Sequence, residues 1–300
     1  MFNERKLVSI GLVVFNGEDY ICQSLDSLLM QNYNNFELII SDNASTDKTE
    51  EICRKYIKKD GRIRYYRNRV NIGAPANFES VLRLAKGEYF MWAAHDDIWH
   101  PDFIFSCVST LEKNQNLGVA FSNIINIDSF GHAIRTYPSF RKFTNKSHFV
   151  RIFNYVKEPE IMGKANIIYG VYRLEMCKKA WSICPLSDKW GADIAFVLAV
   201  ISRFGICIDN RILFQKRLIR NIDRRESPSE IKIRYQCGYI FPISKAIEYI
   251  KENLKAVDGT GYSFFVLIIL LCRLPQAFLN NFFRKLKSLL NYSFKLTLTK

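Results

Sequence analysis

This chain is expected to fold as an α/β protein on a largely parallel sheet, and three observations predict it. From residue 7 to about 122, short β-rich runs alternate with amphipathic stretches, the pattern of successive βαβ units. Conspicuously polar residues fall at the ends of those runs, where sheets of this kind bind their ligands. Its 300 residues, 48% of them hydrophobic, can bury a sizeable core.

The elements follow in order. Leu7 to Phe15 reads as the first strand and Asp19 to Met30 as the helix after it; Phe36 to Ser41 and Asp47 to Lys58 repeat the unit. Ile63 to Tyr66, Ala76 to Ala85, Tyr89 to Ala94, Pro101 to Lys113 and Val119 to Ser122 continue the alternation. Tyr89-Phe90-Met91-Trp92 is apolar throughout, as a buried strand is, and leads into Ala93-Ala94-His95-Asp96-Asp97. Adjacent carboxylates repel and are costly to bury. The pair therefore either holds a cation or polar ligand, or caps the helix that Pro101 opens. Residues 123 to 170 carry Phe, Tyr, Lys and Arg without a repeat, as expected of a substrate-facing excursion. Asp193 to Arg203 reads as a helix closed by Gly205, and beyond about residue 230 the chain reads as helical.

Lysine and arginine outnumber acids 43 to 29, a formal charge of +14, and no acidic residue follows Asp258. The last stretch carries Arg273, Arg284, Lys285, Lys287, Lys295 and Lys300 beside apolar residues, which suits anionic lipid better than nucleic acid. No nucleic-acid-binding signature is present. Tyr262 to Cys272 is too short to span a bilayer and is interrupted by Arg273 and Pro275. Extended through Phe282 and Phe283, it resembles an interfacial helix, with a buried helix or a self-association surface as the alternative. The eight cysteines (22, 53, 107, 177, 184, 207, 237, 272) have no zinc spacing and read as reduced core residues of a cytosolic protein. Met1 to Lys6 leads into a strand pattern rather than a signal peptide, so the sequons at Asn43, Asn145 and Asn291 read as chance matches.

Three motifs stand in order at strand ends, Val13-Val14-Phe15-Asn16-Gly17-Glu18, Asp42-Asn43-Ala44-Ser45-Thr46-Asp47 and Asp96-Asp97, with Gln31 closing the first helix. Together they resemble family 2 glycosyltransferases, well over residues 7 to 122 and more loosely over 163 to 205. The resemblance implies the GT-A fold, a Rossmann-like nucleotide-diphospho-sugar domain with a mixed, mainly parallel sheet, here with a helical C-terminal extension. By position, Phe15 would stack on the base, with Asn16 and Glu18 beside it. Asp42 would accept a hydrogen bond from uracil N3–H, as an acceptor-only carboxylate can. Asp96 would contact the ribose or a metal-bound water, and Asp97 would ligate Mn²⁺ or Mg²⁺ bridging the two phosphates. His95 stands where many members carry another acid. Taken alone, the Asp42 to Asp47 run is also compatible with a turn and an N-cap at Ser45 or Thr46.

Asn71-Ile72-Gly73-Ala74-Pro75-Ala76-Asn77 resembles the family's Asn-x-Gly segment, Gly73 allowing close approach to the nucleotide; an ordinary loop is the alternative. In Lys189-Trp190-Gly191-Ala192-Asp193, the resemblance makes Asp193 the general base, with Asp188 a nearby competitor and an N-cap the other reading. Ala192 fills the first position of the usual Glu-Asp pair. Trp190 and Gly170 would line the acceptor side, or else serve core packing and a strand-end turn. Arg211, Lys216, Arg217, Arg220, Arg224 and Arg225, against Asp223 alone, form a segment that would close over the diphosphate or remain a solvated basic face.

The expected division is a nucleotide-sugar half (1–122), an acceptor half (123–228) and a helical membrane- or partner-associating region (229–300). The expected activity is inverting transfer from a UDP- or dTDP-sugar to a hydroxyl of a glycan, lipid-linked, in bacterial surface-polysaccharide synthesis at the cytoplasmic membrane face. Two rivals differ in class: a catalytically silent nucleotide-sugar-binding scaffold, and a nucleotidyltransferase. The latter would carry a Gly-rich phosphate loop where Asn16-Gly17-Glu18-Asp19 stands.

Overall fold

The computed structural model describes residues 5–137, 139–218 and 243–273. The first unit is β1 (Val8–Val14), α1 (Ile21–Leu29), β2 (Phe36–Asp42), α2 (Thr49–Ile57), β3 (Ile63–Arg67), α3 (Ala74–Leu84) and β4 (Tyr89–Ala94). There follow β5 (Ile98–Trp99), α4 (Phe103–Lys113), β6 (Leu117–Ile127), β7 (Ala133–Thr136), α5 (His148–Lys157), β8 (Val171–Arg173), α6 (Leu174–Ile183), α7 (Ala192–Arg203), β9 (Gly205–Arg217) and α8 (Ile243–Ala256). Short 3₁₀ turns at Phe140–Phe143, Glu160–Met162 and Lys164–Tyr169 connect the middle elements, and 263–273 is helical.

The nine strands of the described residues form one sheet in the order β3-β2-β1-β4-β8-β6-β9-β5, with β7 on β6. The parallel strands β3, β2, β1 and β4 make the expected half; β8 runs antiparallel to both β4 and β6, β9 parallel to β6, and β5 antiparallel to β9. β1 and β4 are buried along their whole length, which is why both read as unbroken apolar runs. Trp92 of β4 centres the core, with Phe90, Tyr172, Trp181 and Phe196 rings within 4.7–5.9 Å of it and its indole N–H donated to the Phe78 carbonyl. Burying each such ring contributes about 2–3 kcal/mol.

Several expectations change. Residues 123–170 are not an excursion alone: β6 continues to Ile127, so the expected division at 122 falls inside a strand and the two halves share one sheet. Gly205 opens β9 instead of only closing α7, and Arg211, Lys216 and Arg217 therefore lie on a strand. Asp96 and Asp97 cap no helix; α4 begins at Phe103 with Asp102 at its N-cap position. Arg220, Asp223, Arg224, Arg225, Cys237, Phe282, Phe283, Arg284, Lys285, Lys287, Asn291, Lys295 and Lys300 lie outside the described residues. Among the described cysteines, all carry free thiols and Cys53, Cys107, Cys177 and Cys184 are buried. No helix of the described residues is long and apolar enough to cross a membrane.

Candidate active site

The loops after β1 and β2 are bonded to one another rather than to open space. Asn16, at a left-handed φ of 51°, donates its N–H to Ser45 Oγ (2.9 Å) and accepts the Thr46 N–H on Oδ1 (2.8 Å). Gly17 N–H reaches Thr49 Oγ1, Glu18 N–H reaches Asp47 Oδ2, and Glu18 Oε2 accepts the Lys48 N–H at 3.0 Å. Asp47 Oδ1 accepts the Thr49 N–H, so Asp47, not Ser45 or Thr46, satisfies the start of α2. Asn16 and Glu18 thus act as straps between two strand ends.

Asp42 is fully buried and anchors the second loop from within. Its Oδ1 accepts the Ser45 N–H (2.8 Å), its Oδ2 accepts the Tyr65 hydroxyl (2.6 Å), and Arg67 Nε lies 3.6 Å away. Both oxygens are committed to the protein, and it is the next residue, Asn43, that lines the cleft. Between Asn43 and Ser45, Ala44 sits at φ 62°, a left-handed conformation costly for a residue with a Cβ.

The cleft, about 480 Å³, opens at the carboxyl ends of β1 and β4. That volume is within the range of sites for small organic ligands, roughly 300–1,000 Å³. Phe15 lines it and is 43% exposed, an aromatic face free to stack. Asn71, Gly73 (φ 82°) and Ala74 bring the start of α3 to its edge, with Asn77 behind them. Asn77 is held by Ser41, to whose carbonyl it donates and whose hydroxyl it accepts. His95, Asp96, Tyr169 and Lys216 line the remainder.

The two adjacent acids point to different places. Asp96 lines the cleft, whereas Asp97 is fully buried behind it, with Oδ2 2.9 Å from Lys216 Nζ and Oδ1 accepting the Arg217 N–H at 2.9 Å. Burial pushes the Asp97 carboxyl up to about 7, against the pull of Lys216. Burial opposes the Lys216 ammonium, but Asp97, Tyr169 and Asp96 outweigh it and raise its pKa. Arg217 completes the floor: its guanidinium donates to the carbonyls of Asp96, Asp128 and Ser129 and to Gln23 Oε1. The carboxylate that the cleft offers to a cation is therefore Asp96, not Asp97. Burial lowers the His95 imidazole, which packs on Gly17. Among the described residues no three His, Cys, Asp or Glu side chains gather into a metal cluster. A single cleft carboxylate fits a cation whose other ligands are phosphate and water oxygens.

The remaining expected residues lie apart from that cleft lining. Asp193 sits in the first turn of α7 after Gly191 (φ 80°), its Oδ1 accepting the Ile194 N–H at 2.8 Å. Burial raises its pKa, opposed by that bond and by Lys164. Asp188 is exposed. Trp190, 39% exposed, stacks edge-on against Tyr249 of α8 at 4.9 Å. Gly170 is buried against β6, where a Cβ would come within 2.8 Å of Val119 Cγ2, so its smallness serves strand packing. Gln31 ties α1 to the loop before α4, donating to the His100 carbonyl and accepting the Ile104 N–H. Sequence reasoning did not single out Tyr169, and it named Lys216 only as one of six basic residues between Arg211 and Arg225; the signal for its place on a strand was the apolar run Ile212-Leu213-Phe214 just before it.

The profile of Glycosyl transferase family 2 matches residues 9–182. A putative glycosyltransferase, EpsE of Bacillus subtilis, is 32% identical over 164 residues, 54% of this chain and 53% of that protein. An uncharacterized glycosyltransferase of Rickettsia typhi is 31% identical over 148 residues, 49% of this chain and 45% of that one. The chain thus spans about half the length of these relatives. In fold, it resembles Staphylococcus aureus TarS 1–349 in complex with UDP-GlcNAc (TM-score 0.62, 18% identity, covering 89% of this chain and 72% of that one). It also resembles the mannosyltransferase PcManGT of Pyrobaculum calidifontis in complex with GDP-Man and Mn²⁺ (TM-score 0.53, 16% identity, 98% and 81%). The profile match covers more than half of the chain and carries the strand ends that build the cleft, so this protein belongs to glycosyl transferase family 2 and has the GT-A fold.

Proposed function

We propose that the chain is an inverting glycosyltransferase that moves a sugar from a UDP- or dTDP-sugar to a hydroxyl of a lipid-linked glycan. The observation that carries this reading is the cleft itself: a stacking aromatic (Phe15), a carboxylate (Asp96) and an ammonium (Lys216) line one cavity at the strand ends. Phe15 takes the base; Asp42 serves base recognition at second hand, by anchoring the turn that presents Asn43. Asp96, with diphosphate oxygens, would hold Mn²⁺ or Mg²⁺, which when bound offsets charge on the leaving diphosphate. Lys216 faces the same charge from β9 and supplies a fixed cation of the chain's own. Asp193 takes the proton of the acceptor hydroxyl as that oxygen attacks the anomeric carbon, and Trp190 offers an indole face to the acceptor sugar.

Calorimetric binding of UDP, dTDP, GDP and CDP, with and without Mn²⁺ and repeated on Asp96→Ala, tests the donor side. The expected result is metal-dependent preference for UDP or dTDP, weakened by the substitution. A folded protein that binds none of the four would turn the reading to a silent scaffold; pyrophosphate release from a nucleoside triphosphate would turn it to a nucleotidyltransferase.

Action at a membrane surface is supported by the helical run 263–273. Phe264, Ile268 and Leu271 fall on one face and are 75%, 44% and 49% exposed, while Val266, Ile269 and Leu270 of the opposite face are buried. An exposed apolar stripe continued by a basic sequence suits an anionic lipid surface. Flotation with phosphatidylglycerol vesicles should fall in the triple variant Phe264→Gln, Ile268→Gln, Leu271→Gln; unchanged flotation removes the stripe from the membrane reading.

A further inference from the structure

α8 lies outside the stretch matched by the family profile, which ends at residue 182, and it packs against the loop that leads into Asp193. Tyr249, 6% exposed, is wedged beneath that loop. Its ring meets Trp190 edge-on at 4.9 Å, and a Cβ at Gly191 would strike its Cδ2 at 2.6 Å. Gly191 is therefore required twice, by its φ of 80° and by this ring. One turn along α8, Glu252 accepts Lys189 Nζ at 2.6 Å.

The other end of Tyr249 is anchored. Its hydroxyl donates to Glu160 Oε1 (2.6 Å), while Glu160 Oε2 accepts Arg273 Nη2 (2.8 Å) from the helical run 263–273. Arg273 also donates to the Val156 carbonyl, at the end of α5. Lys164, fully buried, donates to the carbonyls of Tyr155 and Glu158 and lies 3.6 Å from Glu160. Tyr155 in turn donates its hydroxyl to the carbonyl of Ile194, the residue after Asp193. The loop is thus gripped from the C-terminal helices on one side and from α5 on the other.

We infer that α8 completes the acceptor side of the active site, with Tyr249 as a positioning residue whose ring sets the Trp190–Asp193 loop and whose hydroxyl locks it to Glu160. The inference rests on Asp193 as the general base, and the test separates the two. Full-length Tyr249→Leu, Tyr249→Phe and Asp193→Asn are compared by hydrogen exchange over residues 187–193, by UDP affinity, and by UDP release from UDP-sugars with water as acceptor.

In Tyr249→Leu, exchange over 187–193 should speed up about tenfold or more while the rest of the sheet keeps its protection. UDP affinity should stay within about twofold and UDP release drop about tenfold, the pattern of a misplaced base rather than a lost donor site. Tyr249→Phe keeps the ring but loses the bond to Glu160, and its exchange and release should fall between those of wild type and Tyr249→Leu. Asp193→Asn should lose release with wild-type exchange. Unchanged exchange over 187–193 in a folded Tyr249→Leu overturns the inference, as does a fall in UDP affinity that parallels the fall in release. Should Asp193→Asn keep its release while Tyr249→Leu loosens the loop, the base assignment fails and the positioning of the loop stands. If Tyr249→Leu does not fold, Gly191→Ala, whose methyl displaces the same ring, gives the same exchange reading.

Discussion

The proposed nucleotide side and the proposed acceptor side of this protein are held in opposite ways. On the nucleotide side the strand-end loops hold one another: Asn16, Gly17 and Glu18 reach across to Ser45, Thr46, Asp47, Lys48 and Thr49, and Asp42 pins the second loop from below. On the acceptor side the loop that carries Asp193 is shaped by residues from other elements, Tyr249, Glu252 and Tyr155. Polar residues at strand ends are thus mostly fasteners here, and the cleft-lining groups proposed to meet ligand are fewer: Phe15, Asp96 and Lys216.

The sharpest way to break this comparison is at the base. Asp193→Asn should lower transfer by about 10²- to 10⁴-fold with UDP binding intact. Retained transfer would leave the acceptor side without its proposed chemistry. Next in size is Asp42→Ala, which strands the Tyr65 hydroxyl and the Ser45 N–H and should cost about 3 kcal/mol in urea unfolding. Glu18→Ala, at an exposed strap, should cost less than about 1 kcal/mol. Equal costs would mean that burial of the anchor does not govern the nucleotide side.

Gly191→Ala should destabilise by about 1–2 kcal/mol from its backbone conformation alone, with the loss concentrated at the Asp193 loop rather than the cleft. Two pH dependences follow. Burial raises Asp193 above the usual carboxylate value of 3.8, and a base must be ionised, so transfer should fall with acid through a midpoint above 3.8; the residual rate of Asp193→Asn should lack that limb. For Glu160, burial works upward but Lys164, Arg273 and Tyr249 outweigh it and hold it down to about 2, against an ordinary 4.5. A depressed carboxylate stabilises the fold above its unfolded value, and that contribution drains away as pH falls from about 4.5 through about 2. Glu160→Gln should therefore flatten the acid side of the melting-temperature profile. The smallest effect is Ala44→Gly, which relieves a left-handed Cβ and should raise stability by about 0.5–1 kcal/mol.

The parallel half was legible because its signals are local: Leu7 to Phe15 and Tyr89 to Ala94 are unbroken apolar runs, and Gly73 marks a left-handed turn. Phe15 and Asp96, which line the cleft, could be singled out for the same reason. The exchange of places between Asp96 and Asp97 was not legible, since adjacent residues at a strand end point apart and only the partners decide which one is inward. Those partners, Lys216 and Arg217, lie 119 and 120 residues further on. β9 itself was hidden by basic residues and by register shifts against β6 at Ser122/Asn123 and Asn123/Ile124, which spoil a clean alternation. Tyr249 belongs to no motif; its importance comes from what packs on it.

The distance in sequence between Asp97 and its two partners has a consequence for how the protein is made. A ribosome delivers the parallel half first, and until residue 217 has emerged the Asp97 carboxylate behind the cleft has neither Lys216 nor the Arg217 N–H to meet it. β5 likewise has no strand to join until β9 arrives. The growing chain therefore carries this acid without its partners while some 120 further residues are made, and β9, lying between β6 and β5, supplies the partners of both Asp97 and β5.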